Sequence, residues 1–396
     1  MKRRGIVVSA GVAAFVLGLG VTLLLLTVLN TKKANDSTPQ KPTSPSVKVP
    51  DAKTLRFAAM GDMLAHDSVV ANAKTASGYD FTRYFSKIKN TYSNADIVFC
   101  NPETPAAGEK FGISGYPTFN APTEFSRDLS KVGCNMINLA TNHMYDKGQA
   151  GVEATIDGWN QQKPLLIAGA NKTSVDSGKI SYVTKNGITV AFLAFMDFSN
   201  SPVPNNYVVE TYHDEAKMRA KLVEARKKAD LVIVSAHWGT EDSTRLNDDQ
   251  RRTAQLFADE GVDVVIGTGP HVLQSVATLK NAAGHSTLVW YSIGNMLSSQ
   301  LAVNELTSGI ATFEATKKDG KISVSKLGFH PTFMAYDWST ADRAAQRLST
   351  RTNLMLYPLS DADDRIKAMF PSESLESRQK FITDTLGAET SVTFSP

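Results

Sequence analysis

The chain has 396 residues, a formal net charge of +3 and 42% apolar residues. That length suits one large domain or two small ones with tails, and that apolar share supports a sizeable core. Balanced charge without a basic, aromatic-interleaved stripe argues against nucleic acid as a partner, and two cysteines rule out a disulfide framework or a cysteine-rich zinc site.

At the N-terminus, Lys2, Arg3 and Arg4 precede an uncharged run from Gly5 to Leu29, long enough to span a bilayer. It is too long for a signal-peptide core, and Asn30-Thr31-Lys32-Lys33 follows it instead of a small-x-small cleavage site. Residues 1–30 are therefore expected to be an uncleaved membrane anchor. Three basic residues place its N-terminus in the cytoplasm and the main domain outside the cell. Residues 31–53, with Pro39, Pro42, Pro45 and Pro50, read as an extended tether.

From Leu55 strands alternate with helices. Helical spacing or caps predict helices over Asp80–Tyr92, Gly148–Gln161, His213–Ala229 and Asp248–Glu260, the last after the cap Asn247. Lys185-Asn186-Gly187 and Lys317-Lys318-Asp319-Gly320 signal two hairpins, so a mixed sheet is expected. Residues 54–335 make up the main domain. Residues 336–396 read as a C-terminal helical extension, with short helices at Asp361–Met369 and Leu375–Leu386. Cys100 and Cys134 lie at or near the ends of apolar runs, where two buried free thiols are expected. A single bridge is the alternative for a domain facing an oxidising compartment.

Six polar motifs follow directly on apolar, strand-like runs: Gly61-Asp62, Asn101-Pro102-Glu103, Ala140-Thr141-Asn142-His143, Ser235-Ala236-His237-Trp238-Gly239, Gly267-Thr268-Gly269-Pro270-His271 and Ser292-Ile293-Gly294-Asn295. In α/β proteins ligands gather at the carboxyl ends of strands. Asp62, after a glycine that permits a sharp turn, is a candidate hard metal ligand. His66 shares a face with it if a helical turn begins at Asp62. Glu103 reads as a capping or surface carboxylate or as a ligand. Asn142 and His143 offer one ligand and one proton donor. His237 leaves an apolar strand and needs a partner there. His271 follows a compact turn, and Trp238 and Asn295 are expected to line or orient the site. Taken singly, each residue has a structural reading as a turn, a cap or a core histidine. As a set, with three of seven histidines at strand ends, they point to one or two divalent metals, with His143 as general acid or anion stabiliser. No P-loop, H-E-x-x-H helix or G-x-S-x-G elbow competes, and Met63 rather than serine follows Gly61-Asp62.

In order and spacing, Gly61-Asp62-Met63-Leu64-Ala65-His66-Asp67, Asn101-Pro102-Glu103, Thr141-Asn142-His143, His237-Trp238-Gly239-Thr240-Glu241, Gly267–Gln274 and Tyr291–Asn295 resemble the CapA family of poly-γ-glutamate capsule biosynthesis proteins, related to calcineurin-like metallophosphoesterases. The resemblance covers roughly Leu55 to Leu297. It implies a four-layer α/β/β/α sandwich of two mixed sheets. It implies Asp62, Glu103, Asn142, His237 and His271 as ligands of Mn, Fe, Mg or Zn, and His143 as the phosphate-side acid. Asn101-Pro102-Glu103 replaces the usual phosphoesterase Gly-Asp, and Thr268-Gly269 stands where many relatives carry a histidine. The implied partners are the cell membrane, other capsule synthesis or export subunits, and an anionic polymer or phosphate-bearing substrate. Two functions follow: an extracellular metal-dependent hydrolase or transferase, or a non-catalytic accessory of a polymer synthesis complex.

Overall fold

The apolar runs form strands stacked in two mixed sheets. The computed structural model describes residues 52–387 and 390–393. The expected anchor at 1–30, and all but the last two residues of the tether at 31–53, lie outside them. Among the described residues no helix is long and apolar enough to cross a membrane.

The larger sheet begins with β1 (Lys53–Met63), β2 (Ile97–Pro102), β3 (Met136–Asn138) and β4 (Leu166–Ala168), all parallel. The smaller sheet takes β5 (Ser181–Lys185), β6 (Ile188–Met196), β7 (Leu231–His237), β8 (Val264–Thr268), β9 (Val276–Lys280) and β10 (Ser286–Trp290). Its order is β9-β10-β8-β7-β6-β5, with only the edge strands antiparallel. The chain then returns to β1. There β11 (Asn295–Leu297) pairs in parallel, and β12 (Thr307–Lys318), β13 (Lys321–Asp337) and β14 (Thr352–Pro358) run outward as an antiparallel meander. Both expected hairpins are present. Asn186-Gly187 and Asp319-Gly320 have positive φ at both positions, the backbone of a type I′ turn.

Period-two alternation sets what each face of the smaller sheet meets. On β6, Val190, Phe192 and Ala194 join the core shared with the larger sheet, where the Phe192 ring lies 6.1 Å from that of Phe99. Ala191, Leu193 and Phe195 face the other way. Helices α1 (Asp67–Ala73), α2 (Glu124–Lys131) and α3 (Gly148–Gln162) bury Val69, Leu129 and Trp159 in the larger sheet's core. Helices α4 (Glu215–Lys228) and α5 (Asp248–Asp259) set Leu222 and Phe257 against the outward face of the smaller sheet. Asn247 caps α5 through a reciprocal box with Gln250.

Four readings of the sequence need correction. The helix over Asp80–Tyr92 is broken into a 3-10 turn, Thr82–Phe85, and a single turn, Lys89–Tyr92. Asp80 takes the amide and hydroxyl of Thr82, a local bond that competes with helix. The C-terminal segment is not only helical. α6 (Asp363–Met369) and α7 (Leu375–Leu386) form, but Thr352–Pro358 adds a strand to β13, and the boundary at 335 falls inside β13. Cys100 and Cys134 are bridged rather than free, because adjacent strands β2 and β3 bring their Cα atoms to 5.7 Å. No helical turn begins at Asp62. β1 continues through Met63, and His66 is the extended residue that precedes α1.

Candidate metal centre

The site is built around a bulge in β1. Met60 pairs with Cys100, and Asp62 with the very next residue, Asn101, so Gly61 is the extra residue. A Cβ on Gly61 would lie 1.8 Å from the Gly294 carbonyl oxygen. With glycine there, that carbonyl accepts from Asp62 N at 3.0 Å. The bulge also hands the edge of β1 from antiparallel β12 to parallel β11, placing Asp62 opposite Asn295.

The Asp62 carboxylate is fully buried and held from three sides. Asn101 Nδ2 donates to Oδ1 at 2.6 Å, and Gly269 N lies 3.2 Å from both oxygens. His271 Nδ1 stands 3.1 Å from Oδ2. Asn138 Nδ2 donates to Asn101 Oδ1, and Ala140 N donates to Asn138 Oδ1. This chain fixes the Asn101 amide with its NH2 toward Asp62. The compact Gly267–His271 turn serves the same centre. Gly269 supplies an amide, Thr268 Oγ1 meets His237 Nδ1 at 3.0 Å, and His271 adopts φ 62°.

Glu103 completes the centre. Both of its carboxylate oxygens are buried with no hydrogen-bond partner. Oε1 lies 3.8 Å from His237 Nε2, and Oε2 lies 3.8 Å from His271 Nδ1. Donor atoms of Asp62, Glu103 and His271 fall within 4.8 Å of one another. Asn142 Oδ1 lies 3.0 Å from His237 Nε2, which brings these two beside the group.

The charges are mutually dependent. Burial pushes the Glu103 carboxyl well above its ordinary range. Burial would also raise Asp62, but the hydrogen bond and charge of His271, with the charge of His237, hold it below the usual value. Burial would lower His271, yet Glu103 and Asp62 push it up to about 10. His237 goes the other way, lowered by burial to about 4. The negative charge that raises His271 is what a cation at this point would neutralise. A partnerless buried carboxylate is costly, and carboxylate with imidazole is a fitting donor set for a divalent metal. The residues fit the ion that the sequence implied.

A cavity of about 770 Å³ opens above this group, reaching His271, His143 and His66. His143 Nδ1 lies 2.7 Å from Asp146 Oδ2, and its Nε2 lies 3.2 Å from Asn200 Nδ2. Asp146 also accepts from Phe119 N, and the Phe119 ring stands edge-on to both His143 and His66. His66 lines the cavity outside the ligand group. Burial, with Arg351 nearby, lowers it to about 3, so it is neutral. Asn295 Oδ1 meets His271 Nδ1 at 3.1 Å and so orients the site. Trp238 does not line it. Its indole packs with Phe257 and Tyr291 in the core under α4 and α5, and its Nε1 donates to the Tyr291 carbonyl. Sequence reasoning missed Asp146, Asn138, Thr268 and Asn200. Only Asp146, three residues after His143, carried a local signal.

Two mixed sheets with a buried carboxylate–imidazole group at their strand ends define an α/β protein with a candidate metal centre. The model of the family described as bacterial capsule synthesis protein PGA_cap matches residues 56–300. The chain belongs to that family. It is 27% identical over 295 residues to the PGA biosynthesis protein CapA of Bacillus subtilis (strain 168), covering 73% of this chain and 76% of that protein. It is 30% identical over 266 residues to the capsule biosynthesis protein CapA of Bacillus anthracis, covering 64% of this chain and 62% of that protein. Among solved structures, the calcineurin-like phosphoesterase YfkN from Bacillus subtilis aligns with TM-score 0.42 at 15% identity, over 83% of this chain and 99% of that one. A putative 5'-nucleotidase from Staphylococcus aureus aligns with TM-score 0.46 at 13% identity, over 75% and 57%.

Proposed function

We propose that the chain is a membrane-anchored, extracellular protein of capsule or envelope-polymer biosynthesis whose domain carries a divalent-metal hydrolase site. The single observation that carries the site is Glu103: a fully buried carboxylate, both oxygens unpaired, between His237 and His271 and beside Asp62. We read the stacked sheets and their flanking helices as the four-layer, metallo-dependent phosphatase-like sandwich. The Cys100–Cys134 bridge supports an oxidising location for the domain. The run at 1–30 supports anchoring, which makes the membrane and the other subunits of a capsule synthesis or export complex its partners.

Asp62, Glu103 and His271 would hold the ion, with His237 and Asn142 next to them. When bound, a divalent ion supplies Lewis acidity and draws a nucleophile from water near neutral pH. Asn101 and Gly269 keep the Asp62 carboxylate aimed at the group. Asp146 holds the proton on His143 Nδ1, which leaves Nε2 to exchange a proton with a reacting oxygen or nitrogen in the cavity. The family relationship suggests an anionic polymer or phosphate-bearing substrate.

The test is hydrolysis of bis-p-nitrophenyl phosphate and of ester and amide chromogens by the metal-loaded full chain. Asp62→Ala and His237→Ala should abolish turnover with the fold retained. A chain that holds metal yet turns over none of these favours the accessory reading. For the anchor, deleting residues 1–30 should release the domain from the membrane, and retention there would count against it.

A further inference from the structure

A second concentration of charge lies at the opposite pole of the domain from the metal centre, where β1 begins. β1 runs through 11 residues from Lys53 to Met63, so its two ends are about 33 Å apart. Strand pairing gathers two turns around the Lys53 end. Lys53 stands opposite Lys317 across β1 and β12, and Lys318 stands opposite Lys321 where the β12–β13 hairpin closes. The β5–β6 hairpin reaches the same place from the smaller sheet. Its Asn186 Nδ2 donates to the Thr54 carbonyl at 3.2 Å. Lys53 Nζ is the atom nearest to the place that a Cβ on Gly187 would take, and Lys185 flanks that turn.

One of these lysines is neutralised within the fold. Lys317 pairs with Asp230 at 2.7 Å, and Asp230 also accepts from the Thr189 amide. Lys53, Lys185, Lys318 and Lys321 have no ion pair among the described residues, and Lys53, Lys318 and Lys321 are exposed. Asp319, in the turn between Lys318 and Lys321, is the carboxylate set among them. Like charges directly opposite each other weaken a pair of strands, so the sheet itself gains nothing from Lys53 facing Lys317 or from Lys318 facing Lys321. An anionic surface would relieve that repulsion. The Pro-rich tether also enters the domain at this pole, through Lys53.

We propose that this basic pole is a docking surface for anionic phospholipid headgroups, which seats the domain on the bilayer with its cavity turned away. Lysines clustered beside a membrane-anchoring segment attract anionic lipid. Mobile ammonium groups on long stems suit a fluid array of headgroups better than one fixed anion. The proposal rests on the anchor reading for bringing the domain to the membrane, and the attraction of the pole for lipid stands apart from it.

The full chain is reconstituted into vesicles of phosphatidylcholine, alone or mixed with phosphatidylglycerol, each with a headgroup-labelled acceptor lipid. A donor dye is attached through Ser323→Cys, two residues along β13 from Lys321, or through Thr244→Cys, in the exposed loop after β7 at the other pole. Energy transfer from the Ser323 position should rise about twofold when phosphatidylglycerol is present. Transfer from the Thr244 position should stay low in both. Lys318→Glu together with Lys321→Glu should return the Ser323 signal to its phosphatidylcholine level, and so should salt that shortens the Debye length to about 3 Å. A Ser323 signal indifferent to lipid charge, or one that the double charge reversal leaves alone, overturns the proposal. So does a Ser323 dye that responds to soluble polyglutamate and not to phosphatidylglycerol, which would make the pole a polymer site. Failure of the anchor reading shows separately, as a chain that does not float with phosphatidylcholine vesicles. The pole is then read by flotation with phosphatidylglycerol vesicles. The unchanged chain should float and the charge-reversed chain should not, and flotation of both or of neither overturns the proposal.

Discussion

Glu103 Oε2 lies 3.8 Å from His271 Nδ1, too far for a hydrogen bond and close enough to share an ion. The two residues come from different sheets, one after β2 and the other after β8. Their approach, with neither Glu103 oxygen otherwise bonded, is the geometry on which the proposed metal centre rests.

Glu103 should therefore trade stability for binding. Adding Mn²⁺ to the unchanged chain should raise its unfolding free energy by about 2.7 kcal/mol at a hundredfold excess over Kd. Glu103→Gln should lose that gain. Without metal, Glu103→Gln should be no less stable than the parent, because it removes a partnerless buried carboxyl. Urea unfolding of both chains with and without Mn²⁺ measures each term. A metal-free Glu103→Gln that is strongly destabilised would show a structural role instead.

Asp146 positions His143. Asp146→Asn should leave metal content unchanged and lower kcat on the best chromogenic substrate by about a hundredfold, since Nδ1 loses its carboxylate partner. Metal analysis and steady-state kinetics on the same preparation separate the two effects. Loss of metal in this variant would place Asp146 in the ligand network.

Gly61 tests the bulge. A methyl group there meets the Gly294 carbonyl, so Gly61→Ala must shift β1 from β11. Overpacking of this kind costs about 1–3 kcal/mol, and Asp62 should move with the strand. Urea midpoints should fall and metal affinity should drop together. An unchanged affinity would mean that Asp62 is placed by Asn101 and Gly269 alone.

The Cys100–Cys134 bridge closes a loop across a sequence separation of 34. Replacing both cysteines by serine should cost about 3–4 kcal/mol of unfolding free energy. Thiol titration of the native chain should find no free sulfhydryl, and detection of two would refute the bridge.

The strand-end motifs were legible because Asp62, Glu103, Asn142, His143, His237 and His271 each follow an apolar run, and parallel strands carry such ends to one edge. What joined the ends was not legible. The adjacency of β2 and β3, which bridges the cysteines, exists only once the sheet is ordered. Trp238 shows the limit of motif reading. It follows His237 by one residue, and the period-two pleat turns it from the site into the core beside Phe257. The strand at Thr352–Pro358 was hidden because only Leu354 and Leu356 of its seven residues are buried. Asp146 stands three residues after His143, but the pairing itself depends on the turn between Thr141 and Gly148.

The most direct measurement is the divalent-metal content of the purified full chain, by elemental analysis, after separate incubation with Mn, Fe, Mg and Zn. At least one ion per chain is expected for at least one of these metals, with loss of it in Glu103→Gln and Asp62→Ala. A folded parent chain that retains none of the four would contradict it.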